Sequence, residues 1–325
     1  MKKLLLTLLC LGASCAYAST SLIFNDSWAD GGYTDGADAN DIAWYGSTGS
    51  AALDSNSYTS TFNLLSARSG SSGRGFHGVF TSQSIANAGD KIMVTYSFTT
   101  PATVLEKTSA LRVGFFNSNG ATAQNPNFND DDPPAARAVV DDPIHTQSSL
   151  GSTDDGWNTV YGEMVDLDAN YFGEGKTSNF GFKSKTSSVA TGRLMNSTTG
   201  WASQGSNVDG AYTIAANKSY VGTFSIENIG GDLYDLSASI SFEGTEIASE
   251  TREGKTIAAD TFDIIAFNHS SNAFGSTNSG GVADNGIDYT NIQVSFTQVP
   301  EPSAYALLLG GVAVVLAVAR RKQRV

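Results

Sequence analysis

Leu233-Tyr-Asp-Leu-Ser-Ala-Ser-Ile-Ser-Phe242 decides the fold class. Tyr234, Leu236, Ala238, Ile240 and Phe242 alternate with Asp235, Ser237, Ser239 and Ser241. A period of two puts the apolar side chains on one face of an extended strand and the hydroxyls on the other. Lys91–Thr99 repeats the pattern, with Ile92, Val94, Tyr96 and Phe98 set against Met93, Thr95 and Ser97. Tyr220, Gly222, Phe224 and Ile226 give it again. Further strand candidates are Leu22–Phe24, Phe62–Leu65, Phe76–Phe80, Leu111–Phe116, Val160–Leu167, Phe262–Phe267 and Ile287–Phe296. In the last of these the apolar phase slips from Ile287 and Tyr289 to Ile292, Val294 and Phe296. Such a slip predicts a β-bulge near Asn291. Helical periodicity is almost absent, and no strand–helix alternation points to a parallel sheet. Strands with one apolar face each predict an all-β fold, a two-layer antiparallel β-sandwich.

The ends of the chain read differently. Met1-Lys2-Lys3 is a basic start, Leu4–Leu11 an apolar core, and Ala16-Tyr17-Ala18 a small-residue cleavage site. Residues 1–18 are therefore expected to be a signal peptide cut after Ala18. Both cysteines, Cys10 and Cys15, fall in it. The mature chain then has none, which excludes a disulfide framework, a cysteine–zinc site and thiol catalysis. Setting aside Lys2, Lys3, Glu301, Arg320, Arg321, Lys322 and Arg324 leaves 13 of the 19 basic and 31 of the 32 acidic side chains. A net charge of −18 over residues 19–299 makes nucleic acid and anionic membrane surfaces poor partners. Cations, neutral glycans and other surface proteins remain open.

At the other end, Val299-Pro-Glu-Pro-Ser303 precedes a charge-free run, Ala304–Ala319, and the basic cluster Arg320-Arg321-Lys322-Gln323-Arg324. A helix over 304–319 spans about 24 Å, a little short of the ~30 Å hydrocarbon core. Snorkelling Arg and Lys stems cover the deficit, and the positive-inside rule puts the cluster in the cytoplasm. The tail resembles the PEP-CTERM sorting signal of Gram-negative bacteria, in Pro300, Glu301 and Pro302, the helix 304–319, and Arg320, Arg321 and Lys322. The resemblance implies recognition by an exosortase, a membrane-embedded transpeptidase-like enzyme. It further implies cleavage near the motif and delivery of the cargo to the cell surface or extracellular matrix. The chain divides accordingly into 1–18, a body over 19–298, and a sorting and anchor segment over 299–325.

The body resembles the concanavalin/laminin-G-like jelly rolls. Phe24-Asn-Asp-Ser-Trp28-Ala-Asp-Gly with Asp41-Ile-Ala-Trp44-Tyr45, Leu111–Gly120 and Ile287–Phe296 carry the likeness. It implies a sandwich that often binds carbohydrate or protein, sometimes with calcium.

Residues 117–158 are the largest break in the strand pattern. Asp130, Asp131 and Asp132 precede Pro133, and Asp141 and Asp142 precede Pro143. Clustered carboxylates suit a hard cation such as calcium, but no EF-hand spacing is present, which favours a mobile acidic insertion. Trp28, Trp44 and Tyr45 beside Asp41 suit a sugar platform, since flat rings stack on apolar sugar faces while acids accept hydroxyls. Burial of the tryptophans in a sandwich core is the competing reading. The Ser/Gly runs Ser66–Gly75 and Ser270–Gly281 read as loop tips.

A glycoside hydrolase of the laminarinase type would need Glu-x-Asp-x-x-Glu on one strand, its glutamates about 5–5.5 Å apart. The nearest stretch is Glu163-Met-Val-Asp166-Leu-Asp168, in which Glu163 points away from Asp166 and Asp168. Asp166 and Asp168 share a face, as cation ligands or as paired surface acids. His77, His145 and His269 have no zinc spacing, and no G-x-S-x-G elbow occurs. The expectation is a non-enzymatic surface or matrix protein without a resident cofactor. The alternative is a carbohydrate-binding module for exopolysaccharide, with a glycoside hydrolase behind both.

Overall fold

The computed structural model of the chain describes residues 18–27, 42, 44–47, 65–68, 74–100, 111–119, 146–147, 160–168, 178–185, 195, 201–205, 208–210, 214–269, 286–300, 311 and 320. In chain order the strands are β1 (Ser19–Asp26), β2 (Trp44–Ser47), β3 (Leu65–Arg68), β4 (Arg74–Ser84), β5 (Lys91–Thr99), β6 (Leu111–Asn117), β7 (Thr146–Gln147) and β8 (Tyr161–Asp168). They continue with β9 (Ser178–Lys185), β10 (Ala202–Ser203), β11 (Val208–Gly210), β12 (Ser219–Gly230), β13 (Leu233–Phe242), β14 (Thr245–Lys255), β15 (Thr261–His269) and β16 (Gly286–Gln298).

Two sheets form. One runs β1-β16-β5-β12-β13-β14, with β3 also on β16. The other runs β10-β9-β8-β6-β15-β4-β2-β7, with β11 also on β9. Only the short β2–β7 pair is parallel among the described strands. The fold is the all-β, two-layer antiparallel sandwich that the alternation predicts. Lys91–Thr99 and Leu233–Phe242 are β5 and β13 to the residue.

The slip in β16 is a bulge. Tyr289 faces Phe98 and Asn291 faces Ser97, which leaves Thr290 as the extra residue. Ile287 and Tyr289 on one side and Ile292, Val294 and Phe296 on the other are thereby all buried. Their inward side chains meet Phe24, Val94, Phe98, Phe224 and Leu236 from the first sheet and Phe76, Phe115, Val165, Phe182 and Phe267 from the second. Phe76 and Phe267 stack at 4.9 Å, and Tyr289 stands edge-on to both at 5.2 Å. Gly222 is required where Tyr96 lies over β12, because a Cβ there would sit 2.2 Å from the Tyr96 Cζ.

Two sequence expectations need correction. Part of the run Ser66–Gly75 is strand: Leu65–Arg68 pairs with Gly286–Tyr289, and β4 opens at Arg74. Hydrogen bonding to the bulged β16 overrides the loop-forming composition. The break at 117–158 also contains β7, paired with Gly46 and Ser47.

Candidate functional site

The outward face of the second sheet is built on β6. Leu111, Val113 and Phe115 enter the core between the sheets. Strand alternation therefore turns Arg112, Gly114 and Phe116 the other way. The registers extend each position into a row. Asn268 of β15 lies opposite Arg112, which lies opposite Asp166 of β8. Ala266, Gly114 and Met164 form the next row, with His77 of β4 and Lys183 of β9 at its flanks.

This face is not solvated. Phe116, Met164, Ile264 and Ala266 form a second apolar cluster with Val160, Met195 and Trp201. Trp201 meets Phe116 edge-on at 6.0 Å. Met195 and Trp201, which lie between β9 and β10 in the chain, cover part of the sheet.

Polar groups beneath the cover are held tightly. The Arg112 Nε donates to the Asp166 Oδ2 at 3.2 Å, and its Nη1 donates to the Met195 carbonyl at 2.5 Å. Lys183 Nζ reaches the same Asp166 oxygen at 2.9 Å. Asp166 Oδ1, Asn268 Oδ1 and Trp201 Nε1 are buried and have no hydrogen-bond partner among the described residues. His77 is buried too, and desolvation pushes its imidazole down to about 3, so it is neutral at physiological pH. Two acceptors and an indole donor thus stay buried without a partner among the described residues, a costly state for polar groups.

Glu163 faces the opposite way, toward the core. It accepts from the Ser184 hydroxyl and, at 2.6 Å, from the Ala258 N–H. Gln204 Nε2 in turn donates to the Ser184 hydroxyl oxygen. Burial pushes the Glu163 carboxyl up to about 8, and those two bonds only partly oppose it. Glu163 and Asp166 therefore sit on opposite faces, as their spacing predicts, and assemble no acid–nucleophile pair. Asp168 closes β8, and its side chain lies outside the described residues. Among the described residues no group of three or more His, Cys, Asp or Glu could hold a metal ion.

The structure separates the residues that the sequence grouped. Trp44 is buried in the core, edge-on to Phe24 and Phe76, with its indole N–H donating to Asp26 at 2.5 Å. Its ring belongs to the packing between the sheets and is not an open platform. Tyr45 follows it in β2. Trp28, Asp41, Asp130, Asp131, Asp132, Asp141 and Asp142 lie outside the described residues. Sequence reasoning missed the row of Asn268, Arg112 and Asp166. Its signal was Arg112, a charge inside the apolar run Leu111–Phe116, which no alternation explained.

The tail junction is a second construction. The Val299 N–H donates to the Asp90 Oδ1 at 2.7 Å, and the Asn87 N–H donates to its Oδ2 at 2.8 Å. The Val299 side chain covers Gly89, where a Cβ would come within 2.7 Å of it. Pro300 follows, half-buried. Gly311 and Arg320 are helical and exposed, while Glu301, Pro302, Arg321 and Lys322 lie outside the described residues. No helix among the described residues is long and apolar enough to cross a membrane. Ala18 precedes β1 and Ala16 lies outside the description.

Residues 298–324 match the PEP-CTERM protein-sorting motif. That motif marks an exosortase-sorted surface protein of Gram-negative bacteria, made as an exported, membrane-anchored precursor. No curated protein matches the sequence. Solved structures similar to the chain include peanut lectin, at 11% identity and a TM-score of 0.44, covering 87% of this chain and 100% of the lectin. The exoplasmic/lumenal domain of VIP36 in its Ca2+/Man-bound form has 10% identity, a TM-score of 0.46, and coverage of 87% and 94%. An endo-1,3-beta-glucanase from Streptomyces sioyaensis has 12% identity, a TM-score of 0.42, and coverage of 89% and 100%.

Proposed function

We propose that the protein is a non-enzymatic component of the cell surface or extracellular matrix. Residues 1–18 are removed on export, and residues 299–325 serve as the sorting and anchor segment read by an exosortase. One observation carries the reading: the sorting motif begins at residue 298, the last residue of β16. The label is thus joined directly to a sandwich whose described carboxylates form no catalytic pair. A strain lacking its exosortase should retain the protein in the membrane with Arg320–Val325 still attached. Surface delivery of a shortened chain in that strain overturns the proposal.

The unpartnered Asp166 Oδ1, Asn268 Oδ1 and Trp201 Nε1 favour a second reading, in which the body binds a neutral polysaccharide such as the producer's exopolysaccharide. A buried polar atom without a partner is costly, and a ligand hydroxyl that supplies one recovers that cost. Asn268→Leu should abolish retention on immobilised exopolysaccharide while the melting temperature holds. Equal retention of the variant rules out this face. A chelator arm tests calcium at Asp130, Asp131, Asp132, Asp141 and Asp142, because retention that survives chelation removes the metal from the proposal.

A further inference from the structure

Both terminal segments leave the sandwich from one end. Ser19 lies opposite Gln298 in the β1–β16 ladder, and the Asp90 clamp holds the chain as far as Val299. The charge-free run begins at Ala304. Residues 300–303 reach at most about 14 Å when fully extended. If 304–319 is seated in a bilayer, this end of the body is pressed against its surface.

The β12–β13 turn is built onto the same clamp. The Gly89 N–H donates to the Asn228 carbonyl at 2.6 Å, and the Asn228 N–H donates to the Asp90 carbonyl at 2.9 Å. The turn passes through Gly230, Gly231 and Asp232, all at positive φ, so its tip projects beyond the ladder. On it Ile229 is 44% and Leu233 38% exposed. Leu22, also exposed, lies level with Ser225 through Ser295 and Met93, midway between Ile229 and Val221. Ile229 and Leu233 are two of the four exposed large apolar side chains among the described residues, and Val221 lies toward the other end of β12. Isolated apolar side chains on a surface are ordinary, but a pair on one turn at the tethered end is placed to meet a bilayer. The charge here is not basic: Lys91 pairs with Glu227 at 3.4 Å, Asp90 is buried, and Asp232 stands on the turn itself. No basic patch is offered to anionic headgroups, so the surface suits zwitterionic lipid.

We propose that this end of the sandwich is a membrane-contact surface, with Ile229 and Leu233 entering the interfacial layer of the zwitterionic bilayer that holds the tail. The proposal rests on the reading of residues 304–319 as an anchor. The contact holds residues 300–303 at the membrane surface, where an embedded exosortase works. Two side chains do not hold the body once the tail is cut, so cleavage releases it.

The full chain in phosphatidylcholine vesicles tests this. With Cys10 and Cys15 replaced by Ser, Ile229→Cys, Leu233→Cys and Val221→Cys each give one labelling site. Dyes at 229 and 233 should be quenched several-fold more by a lipid-borne quencher than the dye at 221. Hydrogen exchange of the unlabelled chain provides a readout without substitution: amides 229–233 should exchange more slowly on vesicles than after proteolytic removal of the tail. Floating protein with equal quenching at all three sites, or with unchanged exchange, overturns the contact surface and leaves the anchor standing. Protein that does not float with the vesicles overturns the anchor and the contact surface together.

Discussion

The two outward faces of the sandwich obey one backbone rule and end in opposite environments. On the first sheet, β5 alternates half-buried and buried residues throughout. Its outward face is a lattice of hydroxyls paired across strands, Thr223 with Ser239 at 2.7 Å and Thr99 with Ser219 at 2.8 Å. On the second sheet, β6 is buried at six successive positions. Its outward face carries Arg112, Asp166 and Asn268 beneath Met195 and Trp201. A solvated face tolerates polar groups at little cost, whereas a covered one must pair each charge. The second sheet therefore carries charge and an apolar cluster together on its covered face, whereas the first carries paired hydroxyls in the open.

The largest expected effect sharpens this contrast. Asp166→Ala strands the buried Arg112 guanidinium with only the Met195 carbonyl, which should cost about 3 kcal/mol or more in urea unfolding. On the core-facing side of the first sheet, Gly222→Ala should cost about 2–3 kcal/mol, because the buried Tyr96 occupies the space a methyl would need. A loss under about 1 kcal/mol at either position, by the same unfolding measurement, would contradict the packing assigned to it.

The next effect is a pH dependence. Glu163 holds its proton to about 8 when folded, against 4.5 otherwise, so the folded state binds the extra proton between those values. Stability then falls as pH rises through that window, by at most about 1.4 kcal/mol per unit. His77 works in the opposite sense between about 3 and 6.5, where the unfolded chain binds the extra proton and stability rises with pH. The two oppose each other up to 6.5, so a net fall should emerge between 6.5 and 8. Denaturant titrations of Glu163→Gln should lack that fall. The smallest effect is expected for Glu227→Ala, which removes an ion pair with both side chains at least a third exposed. A change within about 0.5 kcal/mol by the same titrations is expected.

Much of the fold was legible because the first sheet needs only one apolar face. Ile92, Val94, Tyr96 and Phe98 announce β5, and the phase change after Tyr289 announces the bulge at Thr290. The second sheet was harder to read because burial on both faces erases alternation. Leu111–Phe116 reads as an undivided apolar run in which only Arg112 marks an outward position. Two of the longer strands escaped notice altogether. In β9, Lys183 and Lys185 stand where a solvent face would, yet Lys185 is fully buried and donates to the Val160 carbonyl at 2.9 Å. In β14, an edge strand, charges dominate and leave only Ile247 and Ala248 partly against the core. Trp44 could be read as platform or core, and only the Asp26 acceptor across 18 residues decides it. The clamp of Asp90 on Val299 joins residues 209 apart, a separation at which local pattern carries no information.

Intact-mass spectrometry of the protein recovered from the wild-type surface fraction tests the central claim most directly. The account predicts a chain that begins at Ser19 and has lost Arg320–Val325, with a new C-terminus near Pro300–Pro302. A surface chain that still ends in Val325 would make the tail an ordinary anchor and contradict sorting by cleavage.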